Sequence, residues 1–261
     1  MAGPAGVGAD GLRRDAGGVA GPSRLFPDAP VVVAPGAVHV PGWLGLDGQR
    51  RLADQVRGWV AGAGGMRSPR VRGGLMSVQI ACLGWHWSPY RYSRHVDDDD
   101  GRPVAPFPDE LGDLSRRGVA EAAAIDASLA APTGGTGGSA GGGAGPYRPD
   151  VALINWYGPG AKMGMHADRD EASPAPVVSL SLGDSCVFRF GTAAGRGRPW
   201  TDVVLGSGDL FVFGGPSRLA FHGVPRVLAG TADPAVGIEA GRFNITVRQS
   251  GLSDPEPRPA R

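Results

Sequence analysis

The chain has 261 residues, enough for one sizeable core or at most two small ones; 41% hydrophobic and 20% charged residues are globular proportions, while 45 Gly and 24 Pro imply long loops. A net charge of +1, with Lys162 the only lysine, neither demands nor excludes a polyanionic partner, because nucleic-acid binding depends on where charge clusters. Two cysteines, Cys82 and Cys186, exclude a disulfide framework, and the lack of any long apolar run excludes a signal peptide or membrane span, so a cytoplasmic protein that touches no membrane is expected.

Residues 1–30 are rich in Gly, Ala and Pro and are expected to form a disordered tail, since they cannot bury enough apolar surface to offset the entropy of ordering. A single domain is expected over residues 31–250. Within DGQRRLADQVRGWVAGA, the residues Leu52, Val56, Trp59 and Val60 recur at helical spacing and predict a helix with one buried stripe. LMSVQIA reads as a strand, LGWHWSPYRYSRH as an aromatic segment, and VDDDDGRPVAPFP as an exposed loop whose acidic run, Asp97 to Asp100, is a solvated turn.

A second helix is predicted from near Asp109 through LGDLSRRGVAEAAAIDASLA, where acidic residues open the helix and alanines favour it. The stretch PTGGTGGSAGGGAGP, residues 132–146, is a flexible insert by composition. From Val151 to Gln249 short apolar runs alternate with turn residues: VALINWY, PVVSLSLG, CVFRFG, WTDVVLG, DLFVFG, LAFHGV and RFNITVRQ. This pattern predicts an antiparallel sandwich or barrel, followed by a second tail at 251–261. The expected fold class is α+β, mainly β: a double-stranded β-helix, or jelly-roll, core over residues 147–250, with an N-terminal helical and β extension (31–131) packed on it.

The segment NWYGPGAKMGMHADRDE carries the chemistry. If it is extended at His166, alternation places His166, Asp168 and Asp170 on one face. His222, in SRLAFHGV, lies about four strands further on, a separation that a sandwich closes in space. Two histidines and one carboxylate form the facial triad of non-haem iron(II) oxygenases, which leaves positions for a bidentate co-substrate and O₂. In GRFNITVRQ, Arg242, Asn244, Thr246 and Arg248 alternate with Phe243, Ile245 and Val247. Two guanidinium groups facing inward demand an anionic partner, which a dicarboxylate supplies; a solvated outer strand face is the alternative. Asn155 and Tyr157 are two apart and can face the same cavity, unless they merely end a strand.

Together these segments resemble the AlkB family of iron(II)- and 2-oxoglutarate-dependent nucleic-acid dealkylating dioxygenases, its bacterial members above all. The match covers roughly residues 75 to 249 and includes LMSVQIACLGW, NWYGPGAKMGMHADRDE, VVSLSLGDSCVFRFG, SGDLFVFGGPSRLAFHG and RFNITVRQ. The resemblance implies that His166, Asp168 and His222 hold iron(II), and that Asn155, Tyr157, Arg242, Asn244 and Arg248 hold 2-oxoglutarate. Arg242 would take the distal carboxylate and Arg248 the one beside the metal. It also implies that Trp85 stacks on a flipped base opposite His166, that Tyr90 and Tyr92 contact the nucleotide backbone from a recognition lid, that Asp170 orients the base, and that Arg196 is a basic substrate contact. The stretch between Trp85 and Tyr90 is shorter than the family's usual lid.

The activity implied is oxidative demethylation of bases such as N1-methyladenine and N3-methylcytosine in DNA, with RNA as a further substrate, consuming O₂ and 2-oxoglutarate and releasing formaldehyde and succinate. A base inside a duplex cannot reach such a pocket, so the substrate is single-stranded or flipped. The protein would act as a monomer in direct-reversal repair. Competing readings are the same oxygenase chemistry on a protein or small molecule, a non-catalytic binder of modified nucleic acid, and a cupin-like metal protein, which shares the β-fold without requiring the polar face of GRFNITVRQ.

Overall fold

The computed structural model describes residues 29–71, 74–130 and 146–253; the expectations for the tails and the glycine-rich insert fall on 1–28, 131–145 and 254–261, outside the described residues. The chain enters through a hairpin, β1 (Val31–Ala34) and β2 (Ala37–Val40), then forms α1 (Leu46–Gly62). In α1 the predicted stripe is inward: Leu52, Ala53 and Val56 are buried, and Trp59 and Val60 pack half-buried against the same core. Four short strands and one longer one follow: β3 (Arg70–Val71), β4 (Gly74–Leu75), β5 (Gln79–Leu83), β6 (His86–Ser88) and β7 (Arg91–Ser93).

The second helix, α2 (Asp109–Ile125), stops short of the extent that its alanines suggest. Asp126 is extended, with φ −132°; one carboxylate oxygen accepts from Ser128 N at 2.9 Å and the other from Gly36 N at 2.7 Å. The side chain thus competes with the helical ladder and caps a 3₁₀ turn, Ala127–Leu129. The rest is strands: β8 (Val151–Tyr157), β9 (Met163–His166), β10 (Val177–Gly183), β11 (Ser185–Phe190), β12 (Thr201–Leu205), β13 (Leu210–Phe213), β14 (His222–Leu228) and β15 (Arg242–Arg248).

Two antiparallel sheets face each other as in a jelly-roll. The large one has the order β1-β2-β13-β10-β15-β8-β5 and the small one β12-β11-β14-β9. Strand alternation divides the side chains of the large sheet between two cores. Leu180 and Leu182 of β10, Ile154 of β8, and Ile245 and Val247 of β15 pack against the helices. Leu153, Phe211, Phe213 and Ile80 point the other way, meeting Phe188 and Phe190 of β11 between the sheets. Each such side chain contributes about 1.5–3 kcal/mol when fully buried. Three strands of the large sheet, β1, β2 and β5, come from the N-terminal half, so the sheet extends beyond the segment after Val151 in which the strand pattern is plainest.

The register places a polar row inside the sandwich. Asn244 pairs with Ser181 on one side and Asn155 on the other, and Arg242 pairs with Gly183 and Tyr157. Since Ile245 and Val247 face the helices, Arg242, Asn244, Thr246 and Arg248 must face the small sheet; they do, and both arginines are buried, which removes the alternative of a solvated strand face. No helix among the described residues is long and apolar enough to cross a membrane.

Candidate active site

Strands β9 and β14 place His166 directly opposite His222. Gly223 lies at the bulge that follows, where any Cβ would come within 2.8 Å of Met163 O, so the two strands approach closely only because this residue has no side chain. Asp168, just past the end of β9, presents Oδ1 at 3.7 Å from His166 Nε2 and 3.9 Å from His222 Nε2. The three ligand atoms lie within 4.8 Å of one another. Each histidine turns its Nδ1 to a main-chain carbonyl two residues earlier, His166 to Gly164 O and His222 to Ala220 O, both at 3.0 Å. Donation from Nδ1–H leaves both Nε2 lone pairs free for a metal. Burial and the neighbouring His166 push the pKa of His222 down to about 4, so its imidazole is neutral near pH 7.

Burial alone would raise the pKa of Asp168, but Arg248, the two imidazoles and Arg218 outweigh it and hold this carboxyl well below the usual carboxylate range. Arg248 Nη2 lies 2.8 Å and Nε 3.1 Å from Asp168 Oδ2. Its Nη1 donates to Tyr92 OH at 3.0 Å and lies 3.4 Å from Glu171 Oε1. Tyr92 OH donates to Glu171 Oε1 at 2.5 Å, and Arg218 Nη2 donates to Glu171 Oε2 at 3.0 Å. Arg218 closes the network by donating Nη1 to Asp168 O at 2.8 Å. Two carboxylates and two guanidiniums thus fix the central ligand by side chain and main chain alike.

Deeper along β15, Arg242 is 1% exposed and donates Nη2 to Ser181 Oγ at 2.7 Å. Its Nε and Nη1 are buried with no partner among the described residues. A buried guanidinium so placed costs several kcal/mol unless an anion completes it. It lines the same cavity as the triad, about 630 Å³ in volume, together with Tyr157, Asn155, Asn244 and Arg248. Burial raises the Tyr157 phenol, which therefore stays protonated and able to donate. Asn244 is steadied by Ser179 Oγ at 2.7 Å. Three converging ligand atoms with open positions suit a divalent cation, and the two unpaired donors of Arg242 suit a carboxylate at the far end of the same cavity.

The comparisons agree with this chemistry. Residues 36–248 match the 2OG-Fe(II) oxygenase superfamily. An "Alpha-ketoglutarate-dependent dioxygenase AlkB homolog" from Caulobacter vibrioides is 37% identical over 227 residues, which are 85% of this chain and 90% of that protein. The chain belongs to the AlkB family. It is therefore an iron(II)- and 2-oxoglutarate-dependent dioxygenase. "DNA N(6)-methyladenine demethylase ALKBH1C" from Arabidopsis thaliana is 32% identical over 84% of this chain and 49% of its own length. The solved structure of OsALKBH1 superposes with a TM-score of 0.71 at 31% identity, covering 84% of this chain and 99% of that one.

On the substrate side this AlkB protein departs from two expectations. Trp85 is 3% exposed and is absent from the cavity wall. Its Nε1 donates to Asp150 Oδ2 at 3.1 Å, and the Arg94 guanidinium covers its ring at 3.7 Å. Of the two tryptophans, Trp87 is the one that lines the cavity, and its Nε1 donates to Asp170 Oδ2 at 2.8 Å. Gly84, at φ +79°, precedes Trp85, and a Cβ there would lie 1.9 Å from Asp150 O; this left-handed turn leaves Trp85 beside Asp150 and outside β6.

Tyr92 also does not line the cavity, because its hydroxyl is taken up by Glu171 and Arg248. Tyr90, 66% exposed and at φ +71°, Asp170 and Arg196 do line it. Arg196 stands 5.7 Å over the Phe221 ring, and Arg169 stands 5.0 Å over the same ring, giving the AlkB cavity a basic mouth. Trp87, Arg169, Glu171 and Arg218 join the site without a role expected from the sequence. Glu171 ends the motif that carries the ligands and Arg218 sits four residues before His222, so their proximity was the available signal.

Proposed function

We propose that this AlkB enzyme removes alkyl groups oxidatively from bases of DNA, taking a single-stranded or flipped nucleotide. The observation that carries the reading is the pairing, in one cavity, of a metal triad with an aromatic ring, Trp87, whose edge is fixed by Asp170. A purine or pyrimidine is a flat group, and stacking on such a ring is worth about 1–3 kcal/mol per base. Arg169 and Arg196 at the mouth suit the phosphates on either side of it.

His166 and His222 would hold iron(II) through Nε2 and Asp168 through Oδ1. Arg242 and Tyr157 would take the distal carboxylate of 2-oxoglutarate, with Asn155 and Asn244 lining its path and Arg248 standing beside the metal-proximal carboxylate. Bound there, iron(II), 2-oxoglutarate and O₂ would supply the oxidation: 2-oxoglutarate would be converted to succinate and CO₂, one oxygen atom of O₂ entering succinate and the other the N-alkyl carbon, which would leave as an aldehyde and restore the base. The chain orients the base on Trp87, keeps the distal carboxylate desolvated and holds Asp168 ionised. Lesions that block the Watson–Crick edge, such as N1-methyladenine and N3-methylcytosine, lower the cost of extrusion. Every group involved comes from one chain, so a monomer suffices.

Mass spectrometry of methylated DNA and RNA oligonucleotides after incubation with iron(II), ascorbate and 2-oxoglutarate tests the reading; the panel includes N6-methyladenine. Loss of the methyl group from at least one DNA lesion is expected. If every oligonucleotide returns unchanged while succinate accumulates, the substrate is not a base.

A further inference from the structure

The acidic run Asp97 to Asp100 reads from sequence as a solvated turn, yet each of its carboxylates has a partner. Asp97 lies 3.2 Å from Arg91 and accepts from Ser93 Oγ at 3.2 Å. Asp99 and Asp100 hold Arg102 at 3.0 Å and 2.8 Å. Asp98 is different, for it bridges two groups behind the cavity wall: Oδ1 is 2.7 Å from His86 Nε2 and Oδ2 is 2.6 Å from Arg67 Nη1.

Both groups lead to Trp87. Arg67 Nη2 donates to the Trp87 carbonyl, while the Trp87 N–H donates to Cys82 Sγ at 3.4 Å. Arg67 is itself anchored, since its main chain exchanges hydrogen bonds with Ile80 at 2.9 Å and 2.7 Å, and Ile80 lines the cavity. His86, buried, precedes Trp87 in β6. The external anchors matter because β6 and β7 form a two-stranded ribbon that is hydrogen-bonded as a strand to neither large nor small sheet. An isolated two-stranded ribbon is only marginally stable in water. Main-chain bonds hold its flanks, Gly84 N to Ala105 O at 2.7 Å and Val104 N to Arg94 O at 2.9 Å, and side chains supply the remaining anchors.

Arg67, Asp98 and His86 are not among the cavity-lining residues. We infer that Asp98 and Arg67 are positioning residues for substrate recognition: they lock the β6 main chain so that the Trp87 indole meets the base already oriented. A ring fixed in advance loses less freedom on binding, so the effect belongs to affinity for the nucleic acid and not to the oxidation. The inference rests on the reading of Trp87 as the ring that contacts the base.

The test uses the full chain with iron(II) and 2-oxoglutarate, and the variants Asp98→Asn, which is isosteric, and Arg67→Gln. Expected in both is a rise in KM for a methylated single-stranded oligonucleotide of about tenfold, within the range that losing part of a base stack allows. The kcat should change by less than about twofold, and succinate formed without oligonucleotide should match the parent. The tryptophan quenching that the oligonucleotide causes, and that Trp87→Phe removes, should shrink in both. An unchanged KM in either variant with parent-like circular dichroism, or a fall in the succinate formed without oligonucleotide that accompanies the rise in KM, overturns the inference. Trp87→Ala separates the two levels: if it leaves KM unchanged, the reading of Trp87 fails and takes the inference with it. If it raises KM while Asp98→Asn and Arg67→Gln do not, only the positioning role fails.

Discussion

Arg248 meets Asp168 across the gap between the two sheets, its Nη2 2.8 Å from Oδ2, so that Oδ1 alone faces His166 and His222. The guanidinium therefore decides which carboxylate oxygen is offered to a metal. Lysine keeps the charge but cannot reach Asp168, Tyr92 and Glu171 from one planar group. Arg248→Lys is expected to weaken iron(II) binding by about 10–100-fold, the usual effect of removing a partner that orients a ligand. Anaerobic titration of the metal-free protein measures it.

Arg242 makes the opposite demand. Its two buried nitrogens are unpaired, and an anion such as the distal carboxylate of the proposed 2-oxoglutarate complex would complete them. Replacing an incompletely paired buried charge by an apolar side chain is commonly neutral or stabilising by about 1–4 kcal/mol. Arg242→Met should raise the melting temperature of the ligand-free protein by a few degrees, about 2–4 °C per kcal/mol for a chain of this size, and abolish the further rise that 2-oxoglutarate gives the parent. A variant that melts lower in both conditions would show that Arg242 is satisfied without ligand.

The two tryptophans give a paired prediction. Trp87→Ala should raise KM for the oligonucleotide about 5–100-fold, corresponding to the loss of about 1–3 kcal/mol of stacking. Trp85→Phe should leave KM unchanged but lower stability, because the Asp150 hydrogen bond, worth about 0.5–1.5 kcal/mol, is lost. Steady-state kinetics and urea unfolding of the same preparations separate these effects.

Acid should destabilise the metal-free protein through His222. Its pKa is about 4 in the folded state, against about 6.5 in an unfolded chain. The unfolded state therefore binds more protons between these values, and stability rises with pH across that window. The contribution is present above about pH 6.5 and lost as pH falls to about 4, up to about 3 kcal/mol in total. His222→Gln should flatten this part of a urea-unfolding profile; an equally steep profile in the variant would assign the acid sensitivity elsewhere.

The residues that converge on the cavity are legible in the sequence because strand alternation puts Arg242, Asn244 and Arg248 on one face, and Asp168, just past the end of β9, keeps the two-residue spacing from His166. The recognition side is not. Trp85 and Trp87 are also two apart, but β6 begins only at His86, so Trp85 belongs to the turn opened by Gly84 and strand alternation does not extend to it; only the closeness of Asp150 O reveals that a left-handed residue is required at Gly84. Asp98 looks like its three acidic neighbours; its partner Arg67 is 31 residues away, a distance that no local pattern encodes. The end of α2 was hidden likewise, because the contact between Asp126 and Gly36 that helps to stop it spans 90 residues.

The most direct test of the account is the ratio of products in one reaction. With iron(II), ascorbate, 2-oxoglutarate and a single-stranded DNA oligonucleotide carrying N1-methyladenine or N3-methylcytosine, formaldehyde should equal the succinate formed above that seen without oligonucleotide, and His166→Ala should abolish both. Succinate without formaldehyde from any methylated oligonucleotide, or formaldehyde release that survives His166→Ala, would contradict it.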